Sequence, residues 1–534
     1  MTALFVSLVL VPILRRWALV SGTLDTPNER KIHEQATPRF GGVAIYLSFL
    51  FTILVFVEFS REVCGILAGG LVVFVVGLLD DLYGLSPKKK FAGEISGVVV
   101  TMMVGHLYIF NLGNLFGFGE IVLPFWLAIP FTIFAVVGVT NAINLIDGLD
   151  GLSGGVSVIA LVSFMLLAFH DGLSDVMFLC AALTGAIIGF LKYNTYPARI
   201  FMGDAGSLNV GFVLGSLAVF LSQAPRSTVS PMVPVVVLGL PVIDAIWVMV
   251  RRLMKSKGPF TSDMTHVHHK FLDFGFQHRF VVIIIYGISL FWALVAIVAR
   301  SQPEYMLLLM YIVVSMIFYG VLRYLINHRE QFPFMARDSA GGLRDTDIYR
   351  RLSAIIDSTS SLLLGLVVVY ILIAIVADFS EVVEYVWITL TFMVSVAAYC
   401  RLRYVRKHRV SPYFVKVIFY LMGLLVAFLV DRASGVGLLI AKTEIVVFSL
   451  ITILVVLRSL FRHENDIVIG ISESVVLITG IFALVAFSQV PELKHLASVP
   501  IRGGILFLAM NTVIFSDRSM FGSSALLESS QTPF

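Results

Sequence analysis

Residues 71–90 read LVVFVVGLLDDLYGLSPKKK, an apolar run that ends in two aspartates, a glycine-containing turn and three lysines. An uncharged stretch that is bounded by charge in this way is typical of a helix crossing a membrane. The first such run, from Leu4 to Leu14, lies near the start of the chain. Further runs of about 17–22 residues, the length needed to cross hydrocarbon, are centred near residues 50, 71, 100, 130, 162, 183, 213, 240, 290, 315, 369, 392, 421, 448, 477 and 508. The pattern predicts an all-α, polytopic integral membrane helix bundle with about 17 transmembrane helices.

The composition supports the same class of protein. Hydrophobic residues make up 58% of the 534 residues and charged residues 13%, whereas soluble domains average about half and a quarter. The mean hydropathy is +0.95, and apolar runs are distributed along the whole sequence. The sequence therefore does not predict a large soluble domain. The net charge of only +4 does not favour a nucleic-acid partner, and Cys64, Cys180 and Cys400 form no CxxC pair. Neither a disulfide framework nor a zinc site is therefore indicated.

The placement of basic residues predicts the topology. Arg15 and Arg16 follow the first apolar run and no small-residue cleavage site comes after them, which indicates a membrane helix with its N-terminus outside rather than a secretory signal. With the sides alternating from there, thirty of the 38 Lys and Arg residues fall in inner loops and seven in outer loops. This distribution agrees with the positive-inside rule.

Five polar stretches in the first 280 residues lie on the predicted inner side. They are Asp25–Gly42 (DTPNERKIHEQATPRFGG), Asp80–Lys90 (DDLYGLSPKKK), Asn141–Gly151 (NAINLIDGLDG), Phe201–Ser207 (FMGDAGS) and Asp263–His269 (DMTHVHH). Because charged groups near membrane depth are costly, they are candidates for function. Their convergence on one face of the bundle predicts a site at the membrane surface.

The acidic stretches suit a hard divalent cation. Asp80 and Asp81 repel each other, and either a metal or a shared proton would relieve them, although a solvated helix end is an alternative. Asn144, Asp147 and Asp150 recur every three positions from Asn141 onward, which places them along one edge of a helix end or a tight turn. Oxygen ligands of this kind suit Mg²⁺ or Mn²⁺, the alternative being a capped glycine-rich turn. Asp204 taken alone is a plausible N-cap.

The basic stretches suit phosphate. Three histidines follow the basic run Arg251–Lys257 and lack the thiolates or carboxylate that a zinc site needs. Hydrogen bonds to phosphate oxygens, or a solvated basic loop, remain the two interpretations of this segment. The other basic residues likewise have two interpretations, phosphate binding and a simple positive membrane anchor. These residues are Arg30, Lys31, Arg39, Lys88, Lys89 and Lys90. The predicted inner side thus carries acidic residues that suit a metal ion and basic residues that suit phosphate. Together they indicate a reaction that joins a phosphorylated donor to a lipid acceptor.

Over roughly residues 1–326 the five stretches, in this order, resemble the polyprenyl-phosphate N-acetylhexosamine-1-phosphate transferases of glycosyltransferase family 4. The HVHH segment and the PNERKIH segment resemble the branch that uses UDP-N-acetylglucosamine. The peptidoglycan branch, which takes UDP-MurNAc-pentapeptide, shows three consecutive histidines, whereas Val267 interrupts them here. One departure is Gly84, where some relatives carry a further acid, so no metal role is assigned to that turn.

The resemblance implies a role for each matching residue. Asp80, Asp81 and Asp147 would be catalytic, with the first two beside the lipid phosphate and Asp80 deprotonating or orienting it. Asp204 and Asn144 would hold Mg²⁺, with Mn²⁺ as the alternative ion. The substrate-binding residues would be Asp150 at the uracil, Lys88 and Lys90 at phosphate, and His266, His268 and His269 in a loop that closes over the donor.

The activity that the resemblance implies is transfer of a sugar-1-phosphate, N-acetylglucosamine-1-phosphate first, from a UDP-sugar to undecaprenyl phosphate with release of UMP. It would be the first membrane step of a cell-surface polysaccharide such as O-antigen, at the cytoplasmic face of the bacterial inner membrane. The alternatives are a transporter or flippase of lipid-linked sugars, and the same transfer from UDP-MurNAc-pentapeptide. A transporter would have polar groups at the bilayer midplane in repeated halves.

Two membrane modules are expected. Residues 1–326 would form the transferase core of about 11 helices, and residues 327–534 a further module of about six helices without a comparable polar cluster. Family members usually end near residue 330–360, so this module departs from the pattern. No motif in it indicates a function, and homo-oligomerisation or the docking of a downstream glycosyltransferase or flippase are the interpretations left open.

Overall fold

The computed structural model describes residues 2–21, 24–25, 37–254, 266–276 and 278–328. In the rest of the chain it describes residues 359, 362–363, 365–370, 423, 427, 446–455 and 499–516. The chain divides into two compact units, Met1–Ser339 and Ala340–Phe534. The predicted boundary after residue 326 falls at the end of the last described helix of the first unit. The functions assigned to the two modules stay predictions.

The described part of the first unit is built almost entirely of helices. In chain order the elements are α1 Thr2–Ser21, β1 Leu24–Asp25, β2 Thr37–Pro38, α2 Gly41–Phe56, α3 Arg61–Tyr83, α4 Pro87–Gly105, α5 Phe125–Ile146, α6 Leu152–His170, α7 Ser174–Asn194, α8 Gly203–Gln223, α9 Met232–Val237, α10 Gly239–Met254, α11 Val267–Phe274, α12 His278–Val298 and α13 Glu304–Asn327. The two strands pair antiparallel, Leu24 opposite Pro38 and Asp25 opposite Thr37. The centre of each of the eleven apolar runs predicted up to residue 315 falls within one of these helices.

Eight of the described helices are long and apolar enough to cross a membrane: α1, α3, α5, α6, α7, α8, α12 and α13. α2 is apolar but has only 16 residues, and the first two turns of α4 carry three lysines and a glutamate. The structure therefore agrees with an all-α polytopic membrane protein, while the count of about 17 helices is not confirmed. Much of the region in which the last six spans were predicted lies outside the described residues.

Helix α8 is the centre of the first unit. Sixteen of its 21 residues are buried, and it packs against α2, α3, α5 and α6. Polar side chains link helices across this core: Asn209 on α8 donates to the Gly70 carbonyl on α3 at 2.8 Å, and Thr101 on α4 donates to the Gly65 carbonyl at 3.0 Å. In lipid, small residues and interhelical hydrogen bonds take over the part that apolar burial plays in water. The N-terminus of α8 is thus held at a fixed place.

The span predicted around residue 240 is two helices rather than one. α9 ends at Val237 and α10 begins at Gly239, just before Pro241. Proline has no N–H and crowds the preceding turn, so a continuous helix is disfavoured here. The Tyr311 hydroxyl on α13 donates to the Gly239 carbonyl at 2.6 Å. This contact ties α13 to the start of α10.

In the second unit, the described residues include the helices α14 Val446–Val455 and α15 Val499–Ser516. A cluster of buried apolar side chains joins them to the segment 363–370. Its members are Leu363, Val367, Tyr370, Val447, Ile451, Val455, Leu506, Phe507, Leu508 and Ala509.

Candidate active site

A polar cavity of about 290 Å³ lies where α3 and α5 end and where α6 and α8 begin. Four of the five predicted stretches contribute to its wall. The lining residues are Arg39, Asp81, Asn144, Asp147, Gly148, Leu149, Asp150, Asn194, Phe201, Met202, Gly203, Asp204 and Ser207. Most of the first stretch (residues 26–36, with Arg30 and Lys31) and the start of the fifth (residues 263–265) lie outside the described residues.

Backbone hydrogen bonds connect the first stretch to the fourth. The Phe201 N–H donates to the Pro38 carbonyl at 2.7 Å, and the Gly41 N–H returns a bond to the Phe201 carbonyl at 2.9 Å. The Gly42 N–H then donates to the Met202 carbonyl at 2.7 Å. Arg39 is therefore fixed at the cavity wall by its own backbone neighbours.

Asp81 caps α8 from a different helix. Its two carboxylate oxygens accept the backbone N–H groups of Asp204 and Ala205, each at 2.9 Å. The first N–H groups of a helix have no partner within it, and an anion there is also favoured by the helix dipole. Gly203, with φ of +69°, makes the contact possible because a Cβ at this position would lie 2.6 Å from an Asp81 oxygen. The acid predicted beside the lipid phosphate thus positions the start of α8.

Lys90 bridges two carboxylates. Its Nζ lies 3.1 Å from Asp80 Oδ2 and 2.7 Å from Asp204 Oδ1, while the Leu85 N–H donates to Asp80 Oδ1 at 2.6 Å. Lys88 and Lys89, on the same first turn of α4, are exposed. Of the three predicted lysines, Lys90 is the one whose ammonium group the structure brings to the acids.

The side chain of Asn144 completes the contacts of Asp204. Its Nδ2 donates to Asp204 Oδ1 at 2.6 Å and to Ser207 Oγ at 2.8 Å. One turn earlier on α5, Asn141 donates to Glu94, which is buried on α4 one turn after Lys90. The structure thus places Asp80 and Asp204 on Lys90, with Asn144 on the same Asp204 oxygen and Asp81 on the Asp204 N–H. The catalytic and metal-binding roles of these residues stay predictions.

Asp147 and Asp150 follow the end of α5. Burial, together with the charges of Asp204, Asp81 and Asp150, raises the pKa of Asp147 to about 8. The buried Asp150 accepts the Ala198 N–H at 2.9 Å through Oδ2, and its own N–H donates to His278 Nε2 at 3.0 Å. Asp150 therefore anchors the loop before α8. It also lines the cavity, and its predicted contact with uracil stays a prediction.

The histidine segment, residues 266–269, contacts the Asp147–Asp150 turn. His268 is buried, and its ring contacts Gly148 of the cavity wall so closely that a Cβ there would collide with it. Burial and the neighbouring His269 and His266 lower the pKa of His268 to about 3, so it stays neutral at physiological pH. The His269 ring centre is 4.2 Å from that of His268. His266 contacts Asp244 on α10 at 2.8 Å.

The donor set fits a hard divalent cation. In the part of the chain that the structure describes, no three Asp, Glu, His or Cys side chains converge on a point where a metal would have protein ligands alone. Mg²⁺ does not require this, because it keeps several waters and is usually held by one or two carboxylates together with substrate phosphates. The cavity offers oxygen donors, and the raised pKa of Asp147 reflects its crowded negative charge. A cation beside Asp204 would relieve that charge.

The model of glycosyl transferase family 4 matches residues 63–222, which hold the cavity's carboxylates and Lys90. The chain is 33% identical over 301 residues, 56% of its own length and 83% of the relative, to a probable undecaprenyl-phosphate N-acetylglucosaminyl 1-phosphate transferase of Bacillus subtilis. It is 30% identical over 306 residues, 56% of this chain and 83% of the relative, to the undecaprenyl-phosphate alpha-N-acetylglucosaminyl 1-phosphate transferase of Escherichia coli K12. The chain belongs to the polyprenyl-phosphate N-acetylhexosamine-1-phosphate transferase family.

A third relative is also a polyprenyl-phosphate transferase by name. The chain is 34% identical over 290 residues, 49% of its own length and 72% of the relative, to the decaprenyl-phosphate N-acetylglucosaminephosphotransferase of Mycobacterium leprae. The resemblance drawn from the five polar stretches is confirmed, as is the assignment as a membrane transferase. A transporter is not favoured, since these relatives are transferases.

Sequence reasoning missed several residues of this transferase site. Glu94 carried a signal, because it is an acid within an otherwise apolar run four residues after Lys90 and therefore on the same helix face. Asp244 carried the same signal on α10. Asn194 did not: it ends α7, and its side chain accepts the Gly151 N–H at 2.9 Å and donates to the Ile200 carbonyl at 2.9 Å. Only the fold brings these two loops together.

Proposed function

We propose that this protein transfers N-acetylglucosamine-1-phosphate from UDP-N-acetylglucosamine to undecaprenyl phosphate and releases UMP. The reaction would take place at the cytoplasmic face of the bacterial inner membrane, as the first membrane step of a cell-surface polysaccharide. The observation that carries the proposal is the set of contacts around Asp204 in the polar cavity, which Lys90, Asn144 and Asp81 provide from three different helices. The names of the three relatives support both the sugar and the polyprenyl acceptor.

In the proposed reaction, an oxygen of the lipid phosphate attacks the β-phosphorus of the UDP-sugar. A new P–O bond forms, and the bond between the β-phosphorus and the oxygen bridging to the α-phosphorus breaks. UMP leaves with that oxygen and its electron pair. The lipid phosphate is already ionised at neutral pH, so direct displacement needs little help from a general base.

The main physical task is to bring two anions together in a cavity lined by acids. Lys90 and Arg39 supply positive charge there. Burial and the neighbouring carboxylates raise the pKa of Asp147 to about 8, which favours the uncharged form of this residue near neutral pH in the metal-free protein. Asp81 accepts the first N–H groups of α8 with both carboxylate oxygens, and these bonds offset part of its negative charge at the cavity wall.

Asp204 and Asn144 are the residues that would hold Mg²⁺. When bound, Mg²⁺ supplies neutralisation of the diphosphate and of the charge that develops during transfer. Lys90 and Asn144 both donate to Asp204 Oδ1 and so restrict the orientation of its carboxylate. A fixed carboxylate is what precise placement of the donor diphosphate needs.

The test uses purified full-length protein with Mg²⁺, undecaprenyl phosphate and a panel of UDP-sugars, with UMP followed by chromatography. We expect release with UDP-N-acetylglucosamine and loss of release on adding EDTA. Asp204→Asn should lower turnover by roughly a thousandfold while the protein stays folded, the scale seen when a preorganised electrostatic group is removed. Near-normal activity of this variant would overturn the assignment of Asp204.

The panel also separates the alternatives. UMP release with UDP-MurNAc-pentapeptide alone would replace the proposed donor. Folded protein that releases no UMP with any donor would overturn transfer from these donors as the function.

A further inference from the structure

A buried carboxylate outside the cavity holds the histidine segment in place. Asp244 lies on α10 and is 4% exposed. Its Oδ2 lies 2.8 Å from His266 Nδ1, and its Oδ1 accepts the Val267 N–H at 3.0 Å. The Tyr319 hydroxyl on α13 donates to the same Oδ1 at 2.9 Å. One carboxylate therefore connects α10, α13 and the histidine segment.

Each of these contacts restricts the segment in a different way. The Val267 N–H is the first of α11 and has no acceptor within that helix, so the Asp244 carboxylate caps the helix from outside. A carboxylate only accepts hydrogen bonds, so His266 Nδ1 carries the proton that points at Asp244. The other ring nitrogen, Nε2, is thereby left as the one available to a ligand.

The partners of Asp244 are themselves fixed. The Tyr319 ring stacks on Trp247 of α10, with ring centres 4.8 Å apart, and Lys270 Nζ lies 4.8 Å from the centre of the same ring. His266 is 4% exposed, and its ring is stacked with that of His268, which contacts Gly148 in the cavity wall. The chain of contacts thus runs from Asp244 to the edge of the cavity.

We infer that Asp244 is a positioning residue for donor binding, acting through the tautomer and orientation of His266 and through the N-terminus of α11. The inference rests on the proposed function only in naming the UDP-sugar as the ligand. Burial of a carboxylate with three donors, two from the histidine segment and one from α13, is itself independent of the reaction. Groups that orient a metal-binding histidine through its second nitrogen commonly change affinity or activity by roughly 10–100-fold when they are replaced, and we take the same range for a histidine that binds the donor.

The test variant is Asp244→Asn, which keeps the shape of the side chain but presents an N–H₂ group to either His266 or Val267. We expect the KM for UDP-N-acetylglucosamine to rise by roughly 10–100-fold, with the KM for undecaprenyl phosphate unchanged. Tyr319→Phe is the matched control, because it removes one donor and leaves the contacts of Asp244 with His266 and Val267. Because both contacts that reach the histidine segment remain in this control, we expect the donor KM of Tyr319→Phe to rise less than that of Asp244→Asn.

A double-mutant cycle distinguishes positioning from a merely structural role. If Asp244 acts through His266, Asp244→Asn should raise the donor KM little further in a His266→Ala background. Additive effects, equal rises in both KM values, or an unchanged donor KM would each overturn the inference. His266→Asn provides a second variant, because its amide N–H can still reach Asp244 while the group equivalent to Nε2 is gone. It should lose donor affinity.

Hydrogen exchange measured by mass spectrometry tests positioning without any reaction. The amides of residues 267–274 should exchange faster in Asp244→Asn than in the wild type, and at the wild-type rate in His266→Asn. Unchanged exchange in Asp244→Asn would overturn the inference. If the wild-type protein released no UMP from any donor, the proposed function would fail, whereas the exchange result would still decide whether Asp244 holds the segment.

Discussion

Replacing Lys90 by alanine removes the cation that lies between Asp80 and Asp204. The ammonium group is 3.1 Å and 2.7 Å from the two carboxylates, and its side chain is 19% exposed. A hydrogen bond to a charged group contributes roughly 1.5–3 kcal/mol, so two such bonds would give about 3–6 kcal/mol. Because all three side chains keep some contact with solvent, at 11–29% exposure for the acids, the lower end of about 3 kcal/mol is the better figure.

At about 1.4 kcal/mol for each factor of ten, this loss predicts a fall in kcat/KM of roughly a hundredfold for Lys90→Ala. Lys89, a neighbour on the same helical turn, provides the control. Lys89→Ala should leave UMP release unchanged within about twofold, because this exposed side chain lies outside the cluster. Lys88→Ala tests the phosphate contact predicted for Lys88.

The assay is UMP release under subsaturating donor, with thermal unfolding measured in parallel for each variant. A folded Lys90→Ala protein with wild-type kcat/KM would refute the reasoning. An equal loss in Lys89→Ala would also refute it, since the effect would then follow the net charge of the loop rather than the ion pairs of Lys90.

Three further predictions concern the cavity wall. Asp81→Ala should lower the free energy of unfolding by about 0.5–2 kcal/mol, the usual contribution of an N-cap. Denaturant or thermal unfolding in detergent measures this change. An unchanged unfolding midpoint would contradict the capping role of Asp81. Gly148→Ala should displace His268, because the new Cβ would lie 3.0 Å from His268 Cε1. We expect the donor KM to rise at least tenfold while the protein stays folded. An unchanged KM would show that the histidine segment does not contribute to donor binding. Burial raises the pKa of Asp147 from 3.8 to about 8 in the folded state, so the folded state is progressively destabilised as the pH rises from about 4 to about 8. In EDTA the unfolding midpoint should fall over that range, with a smaller slope in Asp147→Asn; equal slopes would count against the shift.

The sequence was sufficient for the membrane class and for the motifs, because hydropathy and clustered polar residues are local signals. Asp80, Asn144 and Asp204 could be grouped because they follow or precede apolar runs at the same predicted membrane face. Pro241 is a local signal for the break between α9 and α10. The apolar residues on both sides of the break nevertheless form one continuous run, which predicts a single span.

Other features depend on tertiary contacts that no local pattern carries. Which of three consecutive lysines reaches the acids depends on the rotation of α4 about its axis, and this selects Lys90. The capping of α8 by Asp81 joins residues more than a hundred positions apart, so a single sequence gives no sign of it. Asp244 likewise becomes informative only when α10, α11 and α13 are packed together.

The central claim is that the sugar and one phosphate move together to the lipid. The most direct measurement uses UDP-N-acetylglucosamine labelled with ³²P at the β-phosphorus, incubated with the protein, Mg²⁺ and undecaprenyl phosphate, followed by organic extraction. We predict that the label appears in the lipid phase, with an equal amount of UMP in the aqueous phase. Label that stays in the aqueous phase as UDP while the sugar enters the lipid would contradict phosphosugar transfer.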